Sequence, residues 1–245
     1  MKIGAYVINL DRSIERWRSL IAQTAQFGMQ FVRVVGVDGA AIPAQQRTDI
    51  DERAFLRQNG RLMLDGEYGC YRSHLKALST FLESDDDAAI IIEDDVEVPP
   101  ELIERAEAIL AAVPEAELVK LLNHRSRWFR LRATSRLGDR IGRCLHGPQG
   151  SAACYLVTRT GAEKLLRNIR VMSYPLDIAL ERGWQNGVNV FTVKDNIARL
   201  SPTTSKMTEI GTRADYRKRK FRGPRRAITH LMRALEYTRR IRYAL

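Results

Sequence analysis

Long apolar runs are missing from this 245-residue chain. No segment approaches the ~18 consecutive apolar residues that a membrane-spanning helix needs. Cysteine is scarce: Cys70, Cys144 and Cys154 are an odd number without metal-ligand spacing, which points to a reducing compartment. No Cys/His set has zinc spacing. The phosphate-cradling patterns G-x-x-x-x-G-K-[ST] and G-x-G-x-x-G are absent, as is a G-x-S-x-G elbow. Kinase, dehydrogenase, zinc-hydrolase and serine-hydrolase readings therefore lose support. There is no internal repeat and no low-complexity segment. The N-terminus, "MKIGAYVINLDRS", lacks a small-residue cleavage pattern and reads as a first β-strand rather than a signal peptide.

What is present is a globular composition, 44% hydrophobic and 28% charged, with a net charge of +11 that is unevenly spread. Residues 213–245 hold twelve Lys/Arg against Asp215 and Glu236, and residues 120–143 hold eight against Asp139 alone. The remainder is mildly acidic. A body of that kind with basic appendages suggests docking to an anionic surface, and no nucleic-acid partner is expected.

Strand-like and helical patterns alternate. "IGAYVIN" (3–9), the helical stripe of 13–28 with Ser13 as its N-cap, and "FVRVV" (31–35) make a strand–helix–strand unit. Residues 41–65 are polar and weakly patterned. A helix is expected over 71–82, a buried strand at "AAIII" (88–92), a helix opened by Pro99–Pro100 and a strand at 117–122. The arginine-rich stretch 125–143 has no clear period and reads as a hairpin or loop insertion. A strand at 151–158, helices at 161–169 and 175–183 and a last strand at 188–193 follow. The order predicts an α/β fold in one domain, 1–212, with a mostly parallel (mixed) central sheet, and a basic amphipathic tail, 213–245. In such sheets ligands bind beyond the carboxyl ends of the strands.

Glu93, Asp94 and Asp95 fall at such an end, directly after three isoleucines. If the strand stays extended, Glu93 and Asp95 share one side and Asp94 faces the other. Two carboxylates there suit Mg²⁺ or Mn²⁺, with a diphosphate completing the coordination. The competing reading is a solvated turn in which one Asp starts the next helix.

Six segments in order, "YVINLDRSIERW", "VVGVDG", "GEYGCYRSHLKAL", "AAIIIEDDVEV", "GSAACYLVTRTGAEKLL" and "PLD", resemble glycosyltransferase family 25, which includes bacterial lipopolysaccharide and lipooligosaccharide β-galactosyltransferases. The resemblance covers residues 3 to about 180. It implies a GT-A-like fold, a UDP-sugar donor, an inverting transfer, and a DxD-like role for the "EDD". Asp95 would then ligate the metal directly. Glu93 would reach it through water or hold the ribose, and Asp94, facing away, would belong to the cofactor-binding set. Asn9, Asp11, Arg12 and Arg16 would meet uracil and diphosphate, and Asp38 and Gly39 the nucleoside. For Arg16 a surface helix charge, and for Asp38 an Asx-turn, remain open. Glu67 would act in the site or cap its helix; His74 would line the acceptor cleft or sit satisfied in the core. Asp177 of "PLD" would be the catalytic base, its alternative being a first-turn Asp favoured by the helix dipole. A further metal ligand is not identified; Asp195 and His230 are the C-terminal candidates.

The resemblance thus implies a metal-dependent transferase. It would move a sugar, galactose foremost, from a UDP-sugar to a cell-surface glycan or glycolipid acceptor. The alternative is a GT-A-like binding protein without catalysis. The expected location is cytoplasmic, peripheral at the inner membrane. The tail, with Ile228, Leu231, Met232 and Leu235 opposed by Arg225, Arg226 and Arg233, reads as an anionic-membrane anchor, a helix packed on the body, or a nucleic-acid tail.

Overall fold

The structure, a computed structural model, describes residues 1–202, 211, 213–221 and 223–245, with backbone alone at 213, 224 and 225. An eight-stranded mixed sheet forms the centre. Its strands are β1 (Ile3–Asn9), β2 (Val32–Val35), β3 (Ala88–Glu93), β5 (Leu118–Lys120), β6 (Phe129–Thr134), β7 (Arg140–Cys144), β8 (Cys154–Thr158) and β9 (Val190–Val193). Their spatial order is β2-β1-β3-β8-β5-β9-β7-β6. Parallel pairing joins β1 to β2 and β3, and β5 to β9; the other four pairings are antiparallel. The α/β fold with a mixed sheet is as expected, but parallel pairing is less extensive. The arginine-rich stretch is a hairpin, β6–β7; β6 is mostly exposed and ends the sheet, while β7 buries Ile141 and Cys144.

Helices cover both faces. Helix α3 (Asp65–Leu82) and α5 (Arg159–Asn168) bury Leu78, Phe81 and Leu165 against Tyr6, Ile8 and Ile91. On the other face α1 (Ile14–Thr24) and α4 (Leu102–Ala112) bury Leu20, Leu102 and Ile109 against Val7, Ile90 and Ile92. Strand β3 is therefore apolar at every position up to Glu93, as a central strand covered on both faces must be.

Three local expectations change. Ser13 makes no side-chain cap to α1. A helix, α2 (Glu52–Asn59), lies in the stretch that lacked pattern; Asp51 caps it and Gly60 closes it in the left-handed conformation. Strand β9 is not the last: β10 (Arg199–Leu200) pairs antiparallel with the short β4 (Val96–Glu97) that follows the acids.

Beyond α6 (Leu176–Leu180) and α7 (Gly183–Asn186) come α8 (Arg213–Arg219) and α9 (Ala227–Ala244). The expected boundary residue Thr212 and the side chain of Arg225 lie outside the described residues. Helix α9 lies on the body through a polar stripe. Thr229 donates to Arg57 O at 3.0 Å, and Glu236 takes two hydrogen bonds from Arg182. Arg240 pairs with Glu181 at 2.9 Å, and the Tyr243 hydroxyl bridges Val188 O and Val190 N. Its aliphatic stripe points outward instead, with Ile228 at 55%, Leu231 at 59% and Leu235 at 45% exposure. Among the described residues no helix is long and apolar enough to cross a membrane.

Candidate active site

The parallel register sets Ile8 opposite Glu93, so the carboxyl ends of β1 and β3 stand side by side. Strand β5 ends at the same edge, and Ala153, just before β8, accepts from Glu93 N at 2.8 Å. The chain turns immediately after Glu93. Asp94 therefore does not alternate away from its neighbours, because strand alternation stops where the strand does. All three carboxylates line one hollow of about 140 Å³. Asp94 is drawn inward by Asn9 Nδ2 at 2.7 Å and Arg16 Nη1 at 3.2 Å.

Opposite the acids, the loop from β2 to a short 3-10 turn presses on the start of α3. A Cβ on Gly39 would stand 1.9 Å from Asp65 O, and one on Gly69 2.6 Å from Gly39 N. Only glycine permits that approach, and it shapes the wall formed by Val37 to Ala40. Arg12 pairs with Asp38, and both line the hollow with Arg16. Asp38 also accepts from Ala40 N at 3.1 Å, the Asx-turn weighed for it. Asn9 and Asp11 do not line the hollow. Asn9 is buried behind it, bridging Asp94 and Arg33, and Asp11 pairs with Arg33 at 2.9 Å on the surface.

Glu93 links this hollow to a second, of about 330 Å³, lined by Glu67, Asp95, His124, Ser151, Asp177 and Tyr216 among others. His74 is buried below the first. Its Nε2 meets Glu93 Oε1 at 3.1 Å and its Nδ1 the Tyr155 hydroxyl at 3.2 Å, so it orients Glu93 and is absent from the second hollow's wall. Both Glu67 oxygens are taken: Arg61 forks onto them, and Leu64 N donates at 2.9 Å. That is the helix-capping arrangement. Asp177 opens α6 after Pro175 and faces the second hollow. Asp195 pairs with Arg140 on the surface and His230 is exposed on α9, so neither reaches the acids.

Electrostatics separate the carboxylates. Burial pushes Asp95 up to about 7, and the charges of Glu93 and Asp94 add to it. Its Oδ1 is buried without a hydrogen-bond partner among the described residues. Burial raises Asp94 as well, against the pull of Asn9 and Arg16. Burial, then Glu181, lift Asp177 to about 6, while Lys120 opposes them. Glu93 and Asp95 fit a hard divalent cation: both are oxygen donors lining the same hollow, and Asp95 has a buried atom in want of a partner. Cys70, His74 and Glu93 also converge, with donor atoms within 4.8 Å. Burial and then Glu93 hold the Cys70 thiol well above its usual range.

Several residues of the site and its support carry no local motif. Arg33 orders Asn9 from a neighbouring strand, and Tyr216 enters from α8, with the Arg61 guanidinium 4.9 Å from its ring centre. His124 had a readable signal, since it follows the apolar strand β5 at the same sheet edge. Ser151 holds φ 67°, a left-handed conformation uncommon outside glycine, in the wall of the second hollow.

Residues 2–180 match the family described as Glycosyltransferase family 25 (LPS biosynthesis protein). No curated protein matches. Among solved structures, a mutant Drosophila β-1,4-galactosyltransferase 7, in complex with manganese, UDP-Gal and xylobiose, is similar at 10% identity. That match covers 91% of this chain and 76% of that one, with a TM-score of 0.44. A glycosyltransferase involved in the glycosylation of the major capsid of PBCV-1 is 12% identical over 96% and 100% of the two chains, at 0.41. Galactosyltransferase LgtC, with donor and acceptor sugar analogs, is 14% identical over 94% and 95%, at 0.39.

Proposed function

Because the chain belongs to glycosyltransferase family 25, we propose that it is an inverting, metal-dependent transferase that moves a hexose, galactose foremost, from a UDP-sugar to a glycan or glycolipid acceptor of lipopolysaccharide assembly. The observation that carries the reading is the joining of two hollows by Glu93 and Asp95, the first with the arginines, the second with Asp177. In this reading the nucleotide occupies the first, with Arg12 and Arg16 toward the diphosphate and Asp38 and Gly39 along the nucleoside. Asp95 and Glu93 would hold Mn²⁺ or Mg²⁺, which when bound supplies positive charge to the departing diphosphate. Asp94 is then a wall carboxylate fixed by Asn9 and Arg16.

The acceptor enters the second hollow. Asp177 takes the proton of its hydroxyl as that oxygen bonds to the anomeric carbon and the bond to the UDP oxygen breaks. Attack from the face opposite UDP inverts the centre. Glu67 and His74 are positioning groups here, since their polar atoms are committed to Arg61, Leu64, Glu93 and Tyr155.

The outward aliphatic stripe of α9, amid the basic residues of 213–245, supports peripheral docking on the anionic cytoplasmic face of a membrane. Calorimetry across UDP-sugars, with and without Mn²⁺, tests the donor assignment. Saturable Mn²⁺-dependent binding with UDP-galactose strongest is expected; binding indifferent to Mn²⁺ and to the nucleotide would remove the proposal.

A further inference from the structure

A third hollow, of about 430 Å³, lies between the body and α9 and has no part in the donor site. It shares a wall with the acceptor hollow. His124, Pro175 and Asp177 face the acceptor hollow, while their immediate neighbours Arg125, Tyr174 and Ile178 face the third. Consecutive Cα atoms are about 3.8 Å apart, so one thickness of chain separates the two at three points.

The third hollow is rich in guanidinium groups: Arg125, Arg182, Arg233 and Arg240 all line it. Two of these are spoken for. Arg182 is bound to Glu236, which also serves Arg239, and Arg240 is bound to Glu181, which also serves Lys120. Each carboxylate thus already answers two cations. The other two have donors to spare. Arg125 uses only its Nε, on Pro148 O at 2.6 Å, and Arg233 makes one long contact, 3.5 Å to Asn59 O. Their remaining N–H groups have no acceptor among the described residues. Tyr174, 6% exposed in the same wall, has a buried hydroxyl without a hydrogen-bond partner. Surplus positive charge, spare planar donors and an unsatisfied hydroxyl in one concavity are what a phosphate or carboxylate group satisfies.

We propose that this hollow is a binding subsite for an anionic group, phosphate or carboxylate, on the acceptor glycan, held chiefly by Arg125 and Arg233. An anion there would orient the acceptor from across the shared wall, and acceptors carrying such a group would be selected. Assignment to the acceptor rests on the transferase reading; anion binding itself does not, so the two can fail separately.

The test is calorimetric titration of the full-length protein with inorganic phosphate at constant ionic strength. A saturable site is expected, weakened about tenfold or more in Arg125→Gln/Arg233→Gln. Arg125→Gln alone, on an exposed loop, should show a smaller loss in the same direction. Arg16→Gln, in the donor hollow, should leave this site in place. Glucose 6-phosphate should bind with the same dependence on Arg125 and Arg233, and glucose should not. Phosphate binding that never saturates, or that survives the double substitution in a protein of unchanged Tm, overturns the subsite. Dependence on these arginines confined to phosphatidylglycerol vesicles overturns the acceptor assignment.

Discussion

Asp177 owes its raised pKa, about 6, to burial first and Glu181 second, against Lys120. It is ionised and able to take a proton above about pH 6, so turnover should fall as pH drops through that value, with a slope of one proton. The folded state binds this proton more tightly than the unfolded chain, where the ordinary value of 3.8 applies. The ionised form therefore costs stability, on the order of 3 kcal/mol above about pH 6 and nothing below about pH 4. Asp177→Asn removes both the proposed base and the cost. Turnover should fall by about 10²–10⁴ with UDP affinity intact, while Tm at pH 7.5 should rise by a few degrees. Near-normal turnover in that variant removes Asp177 from the role. At this scale the acids were legible because three carboxylates ended an apolar run. Their orientation was not, since period-two alternation was carried two residues past the end of β3. Arg33 was not legible either, because the residue it orders, Asn9, is 24 positions away in the chain.

Among the elements, the contact between the loop 37–40 and the start of α3 shapes the first hollow, the one proposed for the nucleotide. Gly39→Ala places a Cβ 1.9 Å from a backbone oxygen that cannot rotate away. The loop must retreat, at a cost of about 1–3 kcal/mol. UDP affinity should fall about tenfold and Tm should drop together; unchanged values of both by calorimetry and thermal melting would show that the contact is slack. Elements with a periodic apolar stripe were readable from sequence: α3, α4, α5 and the buried β3. Helix α2 was not, since its evidence lay in its ends, Asp51 and Gly60, rather than in its face. The first strand of the hairpin, β6, lacked a period because its side chains are mostly exposed at the sheet's edge.

For the whole molecule, α9 reverses the usual amphipathic arrangement, burying ions and hydroxyls and leaving aliphatics outside. Glu181 sits at 3% exposure among Lys120, Arg240 and the amides of Gln149 and Gly150. Burial pushes its pKa up, but these partners prevail and hold it below the usual range. Deleting the tail would take Arg240 from that cluster, so truncation confuses stability with docking. Replacing Ile228, Leu231 and Leu235 together by Gln separates them. Sedimentation with anionic liposomes should fall severalfold with Tm unchanged; undiminished sedimentation would remove the stripe from membrane docking. The central claim is narrower: the acids beyond β3 hold a cation that a UDP-sugar needs. The direct measurement is UDP binding by calorimetry to the wild type and to Asp95→Ala, each with and without Mn²⁺. The account predicts that Mn²⁺ tightens binding to the wild type by about a hundredfold or more. It predicts that Asp95→Ala, still folded, loses that gain while keeping any weak Mn²⁺-independent binding. An equal Mn²⁺ effect in both proteins would contradict it.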